Sequence, residues 1–369
     1  MQELTPVPHH IINLADHEAE AQRRLEPDAW TYLNGAAADG QTHHTNAKAW
    51  QSIQLLPRVL RNLAESHTRV TVLGTTWSHP ILLAPSAYQC LAHSDGELAT
   101  ALAAAAQHTG MVLSTQSSTP LEDVARLYRS QRESASPLWL QLYLQPQREH
   151  TLQLIARAEA AGYEALVLTV DAPLHGVRDA ERRSRFRLPP HIGAVNLKGL
   201  QAMSPSETSS SLHTLLAHAP TWADVSWLVQ QTRLPVLLKG ILHPDDARLA
   251  LDHGAQGVIV SNHGGRTLDT TCATAHALPG IAHAVGHQMS ILVDGGIRRG
   301  TDVVKALCLG AHSVLIGRPV LHGLAHSGAM GVGHVIRLLL DEFQVAMALC
   351  GAASVADCSP ELLVPGRIV

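Results

Sequence analysis

The stretch Ser261-Asn262-His263-Gly264-Gly265-Arg266-Thr267-Leu268-Asp269 directly follows the apolar run Gly257-Val258-Ile259-Val260. A short run rich in β-branched residues is typical of a buried strand, so the polar stretch begins where that strand ends. The two adjacent glycines allow the backbone to come close to a ligand. An imidazole and a guanidinium at one strand end place a base beside an anion-binding group. Removal of a proton or a hydride from a hydroxy acid requires that combination.

The composition indicates a well-packed globular protein. The chain has 369 residues, of which 46% are hydrophobic and 16% are charged. This length suits one large α/β barrel or two ordinary domains. The formal net charge is −4, and the chain has no long basic run. Both features argue against a nucleic-acid partner.

The distribution of cysteines and apolar residues bears on where the protein works. Cys90, Cys272, Cys308, Cys350 and Cys358 are scattered without a CxxC pattern, which favours a reduced setting over a disulfide framework. The first residues lack the basic and apolar regions of a signal peptide. No apolar run approaches the roughly 20 residues that cross a bilayer. We therefore expect a cytoplasmic protein without membrane attachment.

Two histidine pairs, His283/His287 and His322/His326, have the i, i+4 spacing of helical metal ligands. Neither pair has the glutamate of an HExxH motif or an evident third ligand. We therefore expect no metal site and interpret both pairs as solvated positions on helix faces.

Short apolar runs alternate with Ala- and Leu-rich helical segments from about residue 80 onward. This alternation predicts an α/β fold of the (β/α)8 TIM barrel type, because parallel strands buried on both faces read as continuous apolar runs. The alternative is a doubly wound sheet, which usually has a GxGxxG fingerprint after its first strand. This chain has Ala84-Pro85-Ser86-Ala87 there. The predicted strands are 81–84, 111–114, 138–142, 165–170, 235–239, 258–261, 291–294 and 313–317, and the helical segments include 96–108, 151–161, 244–253 and 301–309.

We interpret residues 1–369 as a single domain, with an N-terminal extension over 1–80 and the barrel over 81–369. Within the extension, residues 16–34 predict a helix. Residues 70–73 and 75–77 predict a hairpin around Gly74 that could plug the N-terminal end of the barrel. The connection after the fourth barrel strand, 172–220, is unusually long and includes a Ser-rich stretch, 204–211. Such a loop predicts a mobile lid over an active site.

All eight predicted strands end in polar groups, and the carboxyl ends of the strands carry the chemistry of a TIM barrel. A single Gln or Thr at a strand end more often forms hydrogen bonds with buried backbone groups, which is a structural role. Polar groups at every strand end are hard to reconcile with a purely structural scaffold. In chain order these groups are Ser86, Ser114, Gln141 with Tyr143, Thr169 with Asp171, Lys239, His263 with Arg266, Asp294 with Arg298, and Arg318.

The ends of the last two predicted strands, Asp294-Gly295-Gly296-Ile297-Arg298 and Gly317-Arg318, predict a phosphate site. Glycines let backbone N–H groups reach phosphate oxygens, and arginine adds a positively charged guanidinium that can donate two parallel hydrogen bonds. The structural alternatives are a tight turn for the first segment and a surface salt bridge for Arg318. A phosphate site at one edge of the barrel mouth and Lys239 at the other indicate an extended cofactor.

With Thr267 in place of the usual Gln, 261–269 resembles the SNHGGRQLD signature of the FMN-dependent L-2-hydroxy acid oxidase and dehydrogenase family. Glycolate oxidase, lactate oxidase, mandelate dehydrogenase and the flavocytochrome lactate dehydrogenases belong to this family. The similarity extends from about Tyr32 to Ala353. Further stretches similar to family motifs are LVLTVDAP at 166–173, LLKG at 237–240, DGGIRRGTD at 294–302, IGRP at 316–319 and DEF at 341–343.

The resemblance implies a catalytic set of His263, Asp171, Tyr143 and Arg266. His263 would be the base that removes either the α-proton or the hydroxyl proton, a choice that the sequence leaves open. Asp171 would stabilise its protonated form. Arg266 would bind the substrate carboxylate bidentately, and Arg178 would add positive charge. Tyr32 and Tyr143 would donate their hydroxyl groups to the substrate.

The resemblance also implies FMN as the cofactor. Lys239 would lie near flavin N1 and O2, where negative charge accumulates on reduction. The backbone of Pro85, Ser86 and Ala87 would support the flavin ring. The remaining cofactor-binding residues implied by the family are Ser114, Gln141 and Thr169 at the polar edge of the ring, Asp294, Gly295, Gly296, Arg298, Gly317 and Arg318 around the ribityl chain and phosphate, and Ser261.

Three segments depart from the family pattern. The segment YLNGAAAD at 32–39 aligns without a gap to the family's YYASGAED, but its glycine falls one place early. Tyr32 could therefore instead be a helix-end tyrosine that packs on the barrel. Gln116 stands where glycolate oxidases carry a tryptophan, and Tyr88-Gln89-Cys90 replaces a Met-Gln-Lys type sequence. These differences concern the choice of substrate.

We therefore expect a cytoplasmic homotetramer that oxidises an L-2-hydroxy acid to the 2-oxo acid, with O2 reoxidising the flavin to give H2O2. Ala87 is the residue usual in the oxidases. One alternative is a dehydrogenase that passes electrons to a quinone or protein acceptor. A flavin-free, phosphate-binding lyase or isomerase is a more distant alternative. A non-catalytic relative is the last, and the intact His263, Asp171, Arg266 and Lys239 argue against it.

Overall fold

Eight short parallel strands close into a barrel in the computed structural model, which describes residues 4–131, 136–199, 216 and 219–365. Sequential strands are neighbours around the ring, and the last strand pairs with the first barrel strand to close it. The predicted (β/α)8 barrel is confirmed, and the doubly wound alternative is wrong. The strands are β1 (Val70–Val72), β2 (Thr75–Trp77), β3 (Ile81–Leu83), β4 (Gly110–Leu113), β5 (Leu138–Leu142), β6 (Ala165–Thr169), β7 (Val236–Ile241), β8 (Gly257–Val260), β9 (Ser290–Val293) and β10 (Ser313–Ile316).

Helices connect the barrel strands, and each predicted barrel strand overlaps an observed one. None of the helices in the described part of the chain is long and apolar enough to cross a bilayer. We number them α1 (Leu14–Arg24), α2 (Pro27–Asn34), α3 (Gln41–Ser52), α4 (Gly96–Ala106), α5 (Leu121–Gln131), α6 (Arg148–Ala161), α7 (Asp179–Ser184), α8 (Trp222–Gln230), α9 (Pro244–Asp252), α10 (Thr274–Val285), α11 (Gly300–Cys308) and α12 (Arg318–Leu349).

Alternate residues of each barrel strand supply two separate cores. One side chain set, which includes Leu82, Trp139 and Leu292, fills the interior of the barrel. The intervening residues, such as Ile81 and Leu83, pack outward against the ring of helices. Burial of both faces explains why the strands read as continuous apolar runs. The five cysteines are free thiols, in line with the predicted lack of a disulfide framework.

The N-terminal hairpin closes the bottom of the barrel, as predicted. Leu73 and Gly74 take left-handed backbone conformations, with φ of 49° and 76°, which suit the tight turn between β1 and β2. Trp77 at the end of β2 lies edge-on to Trp139, with ring centroids 5.5 Å apart. Trp139 belongs to the N-terminal part of β5, so the hairpin covers the end of the barrel opposite the strand termini that carry polar groups.

The prediction of one helix over 16–34 is wrong, because the chain forms α1 and α2 with a break between them. Leu25 and Glu26 adopt ψ values of 141°, outside the helical region, and Pro27 begins the second helix. A proline disfavours a helical conformation in the residue before it, and its fixed φ suits the first turn of a new helix. The break turns α2 so that its C-terminal end reaches the barrel mouth.

The long helix α12 bends sharply at Ser327 and Gly328, where the backbone leaves the helical region. Gly328 has a φ of 53° and a ψ of −134°, a combination that favours glycine. The bend brings the two halves so close that a Cβ on Gly331 would lie 1.9 Å from the carbonyl oxygen of Gly323. The first half can therefore contribute to the barrel mouth, and the helix as a whole packs on α1, α4 and α11.

Interpreting His322 and His326 as solvated is wrong, since both are buried on α12, whereas His283 and His287 are exposed as expected. His326 Nε2 lies 2.7 Å from His17 Nδ1, and His17 Nε2 lies 2.9 Å from His334 Nδ1. These hydrogen bonds tie α1 to both halves of α12, so the histidines form a polar seam between helices. Within the described residues, no group of three or more His, Cys, Asp or Glu side chains is arranged to hold a metal ion.

This seam makes stability depend on pH. Burial, followed by the charges of His326 and His334, lowers the pKa of His17 to about 3. Between that value and the ordinary 6.5 the unfolded chain binds a proton that the folded chain does not. The stabilisation is therefore complete above pH 6.5 and is lost as the pH falls. We expect the free energy of unfolding of the wild type to fall by up to about 2 kcal/mol more than that of His17→Gln between about pH 7 and about pH 5. Urea unfolding of both proteins measures this difference, and equal losses would contradict the prediction.

Candidate active site

Three successive residues after β8 have left-handed backbone conformations. The φ values are 57° for His263, 63° for Gly264 and 74° for Gly265. A histidine in this region is uncommon, and such backbone strain clusters at functional sites. A Cβ on Gly265 would lie 2.6 Å from the backbone nitrogen of His43, so glycine is also needed there for space. The turn holds His263 at the barrel mouth.

His263 Nδ1 and Asp171 Oδ1 are 2.9 Å apart, and both side chains are largely buried. The approach of Asp171 depends on Gly240, which has a φ of 115° and whose Cβ would lie 2.5 Å from the Asp171 Cβ. Burial and the charge of Lys239 lower the pKa of His263, despite the opposing effect of Asp171. The imidazole is therefore neutral near pH 7, as a general base must be.

Asp171 remains ionised although it is buried. Burial alone would raise its pKa, but the hydrogen bond from His263 and the charges of His263 and Lys239 outweigh burial and lower it. The buried Oδ2 atom of Asp171 has no hydrogen-bond partner among the described residues. This carboxylate can therefore stabilise positive charge on His263 when the imidazole accepts a proton.

Lys239 is a buried cation on β7. Its Nζ atom lies 3.2 Å from Asp294 Oδ2 and donates a hydrogen bond of 2.9 Å to Ser261 Oγ. Burial works against the charged form, but Asp294 and Asp171 outweigh it and raise the pKa of Lys239. The predicted cofactor residues Lys239, Ser261 and Asp294 thus form one connected group.

A second polar group links the ends of β4, β5 and β6. Gln141 Oε1 accepts hydrogen bonds of 3.2 Å from Ser114 Oγ and from the backbone N–H of Thr115. Gln141 Nε2 donates to Thr169 Oγ1 at 3.0 Å. The structure therefore brings together the three residues predicted for the polar edge of a flavin. Pro85, Ser86 and Ala87 are partly buried and follow β3, the barrel strand next to β4.

The predicted substrate-binding arginines meet at a carboxylate that the sequence analysis did not single out. Glu181 Oε1 lies 3.2 Å from Arg178 Nη1 and 3.6 Å from Arg266 Nη2. Arg266 Nη1 donates hydrogen bonds of 2.8 Å to the carbonyl oxygens of Tyr32 and Gly35. The guanidinium of Arg266 also lies over the Tyr32 ring, 5.3 Å from its centroid. The position of Glu181 marks where a carboxylate can be held between the two arginines.

Tyrosines surround these arginines. Burial raises the pKa of Tyr32 to about 12 and also raises that of Tyr143, so both hydroxyl groups stay protonated and can donate hydrogen bonds. Tyr143 is close enough to Lys239, Asp171, Arg178 and Arg266 for their charges to affect its pKa. The structure therefore places all the predicted catalytic residues in one region.

The described first part of the predicted lid packs over this region. Its α7 carries Glu181. Phe186, just beyond α7, stacks on the Tyr32 ring with centroids 4.8 Å apart and an angle of 20° between the planes. The backbone N–H of Ala38 donates to the carbonyl oxygen of Val177 at 2.7 Å. Residues 200–215, 217 and 218 of the predicted lid, including its Ser-rich stretch, lie outside the described residues. The mobility of the lid remains a prediction.

The predicted phosphate-binding segments converge on one side of the mouth. Gly295 and Gly296 have φ values of 90° and 86°, and a Cβ on Gly296 would lie 2.5 Å from the backbone of Asn46. Neither Arg298 nor Arg318 forms an ion pair with a carboxylate within the described part of the chain. Burial and the charges of Arg266 and Arg298 lower the pKa of Arg318 to about 9. A partly buried arginine pair without a carboxylate partner is suited to a phosphate.

Unsatisfied polar atoms show that FMN fits this site. Arg318 Nε and Asp294 Oδ1 are buried and lack hydrogen-bond partners among the described residues. The two terminal nitrogens of Arg318, Nη1 and Nη2, donate hydrogen bonds to the carbonyl oxygens of Gly264 and Gly35, respectively. A ribityl hydroxyl could donate to Asp294, and a phosphate could accept from Arg318, from the glycine N–H groups and from the start of α12 at Gly317.

Several residues that position the site were missed. Asn46 and Asn262 exchange side-chain hydrogen bonds of 2.8 Å, and Asp269 accepts hydrogen bonds from the backbone N–H groups of Gln41 and Thr42 at the start of α3. The signature stretch thus anchors the extension to the barrel. Asn262 and Asp269 could have been found as polar members of the signature. No sequence signal marked Asn46, His43, Glu181 or Phe186.

Comparisons with known proteins agree with this geometry. The profile of the family "FMN-dependent dehydrogenase" matches residues 21–365. An L-lactate oxidase of Nostoc sp. is 47% identical over 360 residues, which cover 95% of this chain and 98% of that protein. Glycolate oxidase 1 of Zea mays is 42% identical over 359 residues and 96% of both chains. A crystal structure of mandelate oxidase with (S)-2-phenylpropionate has a TM-score of 0.85 and 38% identity, covering 96% of this chain and 98% of that one.

The chain belongs to the FMN-dependent dehydrogenase family. Its cofactor is FMN, and its activity is that of an FMN-dependent 2-hydroxy acid oxidase. The relatives favour the oxidase over the dehydrogenase alternative, and they rule out the flavin-free lyase or isomerase.

Gly296 provides a stability test of the phosphate segment. Alanine there would need a left-handed φ and would collide with the backbone of Asn46. We expect Gly296→Ala to lower the free energy of unfolding of the apoprotein by about 1–3 kcal/mol or more. Gly193→Ala is the matched control, since its Cβ would meet nothing within 4 Å. Urea unfolding of the two variants without FMN measures this difference. Equal free energies of unfolding would contradict the crowding of the backbone around Gly296.

Proposed function

We propose that this enzyme oxidises L-lactate, or a similarly small L-2-hydroxy acid, to the 2-oxo acid and uses O2 as its electron acceptor. The observation that carries the proposal is the hydrogen-bonded His263–Asp171 pair in the same mouth as the Arg178–Glu181–Arg266 group. Base and carboxylate-binding groups are thereby available to one small substrate. The L-lactate oxidases of Nostoc sp. and Roseobacter sp., each 47% identical to the chain, support the choice of substrate.

Substrate binding uses the arginines as a carboxylate clamp. In this proposal the substrate carboxylate takes the position beside Arg266 Nη2 that Glu181 approaches in the present structure. Arg178 adds positive charge, and the hydroxyl groups of Tyr32 and Tyr143 donate hydrogen bonds. The Tyr32 ring lies beside Arg266, and the rings of Tyr88 and Phe186 pack against Tyr32, with the Tyr32 and Tyr88 centroids 6.0 Å apart. Apolar walls suit a methyl or other hydrocarbon side chain better than a second charge.

Oxidation then depends on proton removal by His263. The neutral imidazole accepts a proton from the substrate, and Asp171 stabilises the resulting imidazolium. Lys239 holds positive charge in the barrel mouth, paired across the β6–β7 ladder with Thr169; it would lie near the flavin edge, and Ser114, Gln141, Thr169 and the 85–87 segment would position the ring. When bound, FMN accepts the two electrons that leave the substrate. The second hydrogen of the substrate would pass to the cofactor with those electrons, so the products of this half-reaction are the 2-oxo acid, the reduced cofactor and the protonated imidazole of His263.

We also propose that the protein is a cytoplasmic homotetramer, as the family resemblance implies. Exposed apolar side chains support self-association, because Leu60 is fully exposed and Val59 and Leu349 are each at least 70% exposed. These residues share one surface, since the backbone N–H of Arg58 donates to the carbonyl oxygen of Cys350 at 3.1 Å. Light scattering at micromolar concentration should give about four times the monomer mass of 39.6 kDa.

Removal of the base tests the role of His263. We expect His263→Ala to slow anaerobic flavin reduction by more than about 100-fold while FMN stays bound, because proton abstraction is lost but the phosphate site is intact. Stopped-flow absorbance measures the reduction rate, and the flavin spectrum confirms cofactor content. Rapid reduction in this variant would show that another group is the base. In the wild type, the lowered pKa of His263 should place the acid limb of kcat/KM below 6.5.

The substrate and acceptor can be identified in one series of measurements. Anaerobic bleaching of the flavin by glycolate, L-lactate, L-mandelate and longer L-2-hydroxy acids ranks the substrates by rate. Admission of air then shows whether O2 reoxidises the flavin with release of H2O2. We expect L-lactate to give the largest kcat/KM and reoxidation to be fast. Slow reoxidation by O2 and fast turnover with a quinone would instead identify a dehydrogenase.

A further inference from the structure

His43, on α3 of the N-terminal extension, stands beside the phosphate-site arginines. A Cβ on Gly265 would lie 2.6 Å from the backbone nitrogen and 3.2 Å from the Cβ of His43, so this residue packs on the loop after β8. The preceding residue, Gly264, accepts a hydrogen bond of 3.0 Å at its carbonyl oxygen from Arg318 Nη1. His43 and the Arg318 guanidinium therefore contact adjacent residues of one turn, close enough for the arginine charge to act on the imidazole. His43 is only partly buried, whereas His44, the next residue, is exposed.

The groups that act on His43 are cationic or neutral. They are Arg318 from α12, Arg298 from the loop after β9, His44 from its own helix and the Gly264 carbonyl from the loop after β8. Burial and then the two arginines lower the pKa of His43 to about 3. Without an anion the imidazole is neutral. His322 faces the same arginines from α12, but its Nε2 atom lies 2.7 Å from Asn34 Oδ1.

A phosphate dianion between the arginines would reverse this electrostatic balance. Two negative charges next to the imidazole favour its protonated form, which can then donate a charge-assisted hydrogen bond. A phosphate monoester has its second pKa near 6, so it is a dianion in mildly alkaline solution and does not itself take up the proton. Any proton bound with FMN under those conditions comes from solvent to the protein.

We propose that His43 is a third cationic ligand of the FMN phosphate, and that it takes up one proton from solvent when the phosphate binds. Arg298 and Arg318 are the other two cationic groups. The inference rests on FMN being the cofactor but is independent of the hydroxy acid and of the electron acceptor. Below about pH 8, where Arg318 with its pKa of about 9 stays largely protonated, it gives cofactor binding a dependence on pH that the arginines do not provide.

Binding of FMN and riboflavin to the full-length apoprotein tests the proposal, because riboflavin has the same ring and ribityl chain without the phosphate. Calorimetry at about pH 8, in buffers of different ionisation enthalpy, measures the protons taken up. We expect measurable net proton uptake when FMN binds and none when riboflavin binds. Fluorescence quenching gives the Kd of both ligands over a range of pH, with weaker FMN binding as the pH rises.

Substitutions of His43 test whether this residue is the group that takes up the proton. In His43→Leu and His43→Gln we expect loss of the proton uptake and a rise of about tenfold or more in the Kd for FMN, with the Kd for riboflavin unchanged. The glutamine variant keeps a hydrogen-bonding side chain and so guards against a folding defect. His44→Leu, an exposed neighbour, should behave like the wild type. Unchanged uptake in both His43 variants, or its loss in His322→Phe instead, would overturn the proposal. Failure of the wild type to bind FMN would instead contradict the cofactor assignment itself.

Discussion

Two partly buried arginines without a carboxylate partner impose the main constraint on this structure. Arg298 and Arg318 lie at the barrel mouth, and neither forms an ion pair within the described residues. Burial of unpaired charge is costly, so such a pair persists only where an anion completes it. The same arginines depress the pKa of His43 and His322. In our proposal the FMN phosphate is that anion, and the packed barrel supports the cost of keeping its site ready.

The loop after β8 connects the two halves of the site. Ser261 holds Lys239 on the cofactor side, while His263 contacts Asp171 and Arg266 reaches Glu181 on the substrate side. Asn262 and Asp269, which lack a chemical role, bind α3 through Asn46 and through the backbone at its first turn. A single loop therefore sets the spacing between the residues that we propose as base, carboxylate clamp and cofactor ligand. Its left-handed backbone makes the two glycines indispensable to that arrangement.

The barrel could be predicted from sequence because strands buried on both faces leave continuous apolar runs, and the strand ends supplied most of the site. The break before Pro27 was missed because the apolar pattern of α1 and α2 looks continuous. The burial of His322 and His326 depends on α1 and on the bend at Gly328, which periodicity alone does not reveal. Glu181 and His43 reach the site only through tertiary contacts of the lid and the extension. Pairing between segments distant in sequence leaves no local signal.

Closure of the barrel by pairing of β10 with β3 has a consequence for biosynthesis. On the ribosome, β3 emerges early, but its second neighbour, β10, is made only after nearly the whole barrel sequence. Until then one edge of β3 is an unpaired apolar strand, which is the kind of surface that promotes aggregation. The β1–β2 hairpin is translated immediately before β3 and packs into the same interior core. It can cover the growing sheet from below and protect the nascent chain while the remaining strands are made.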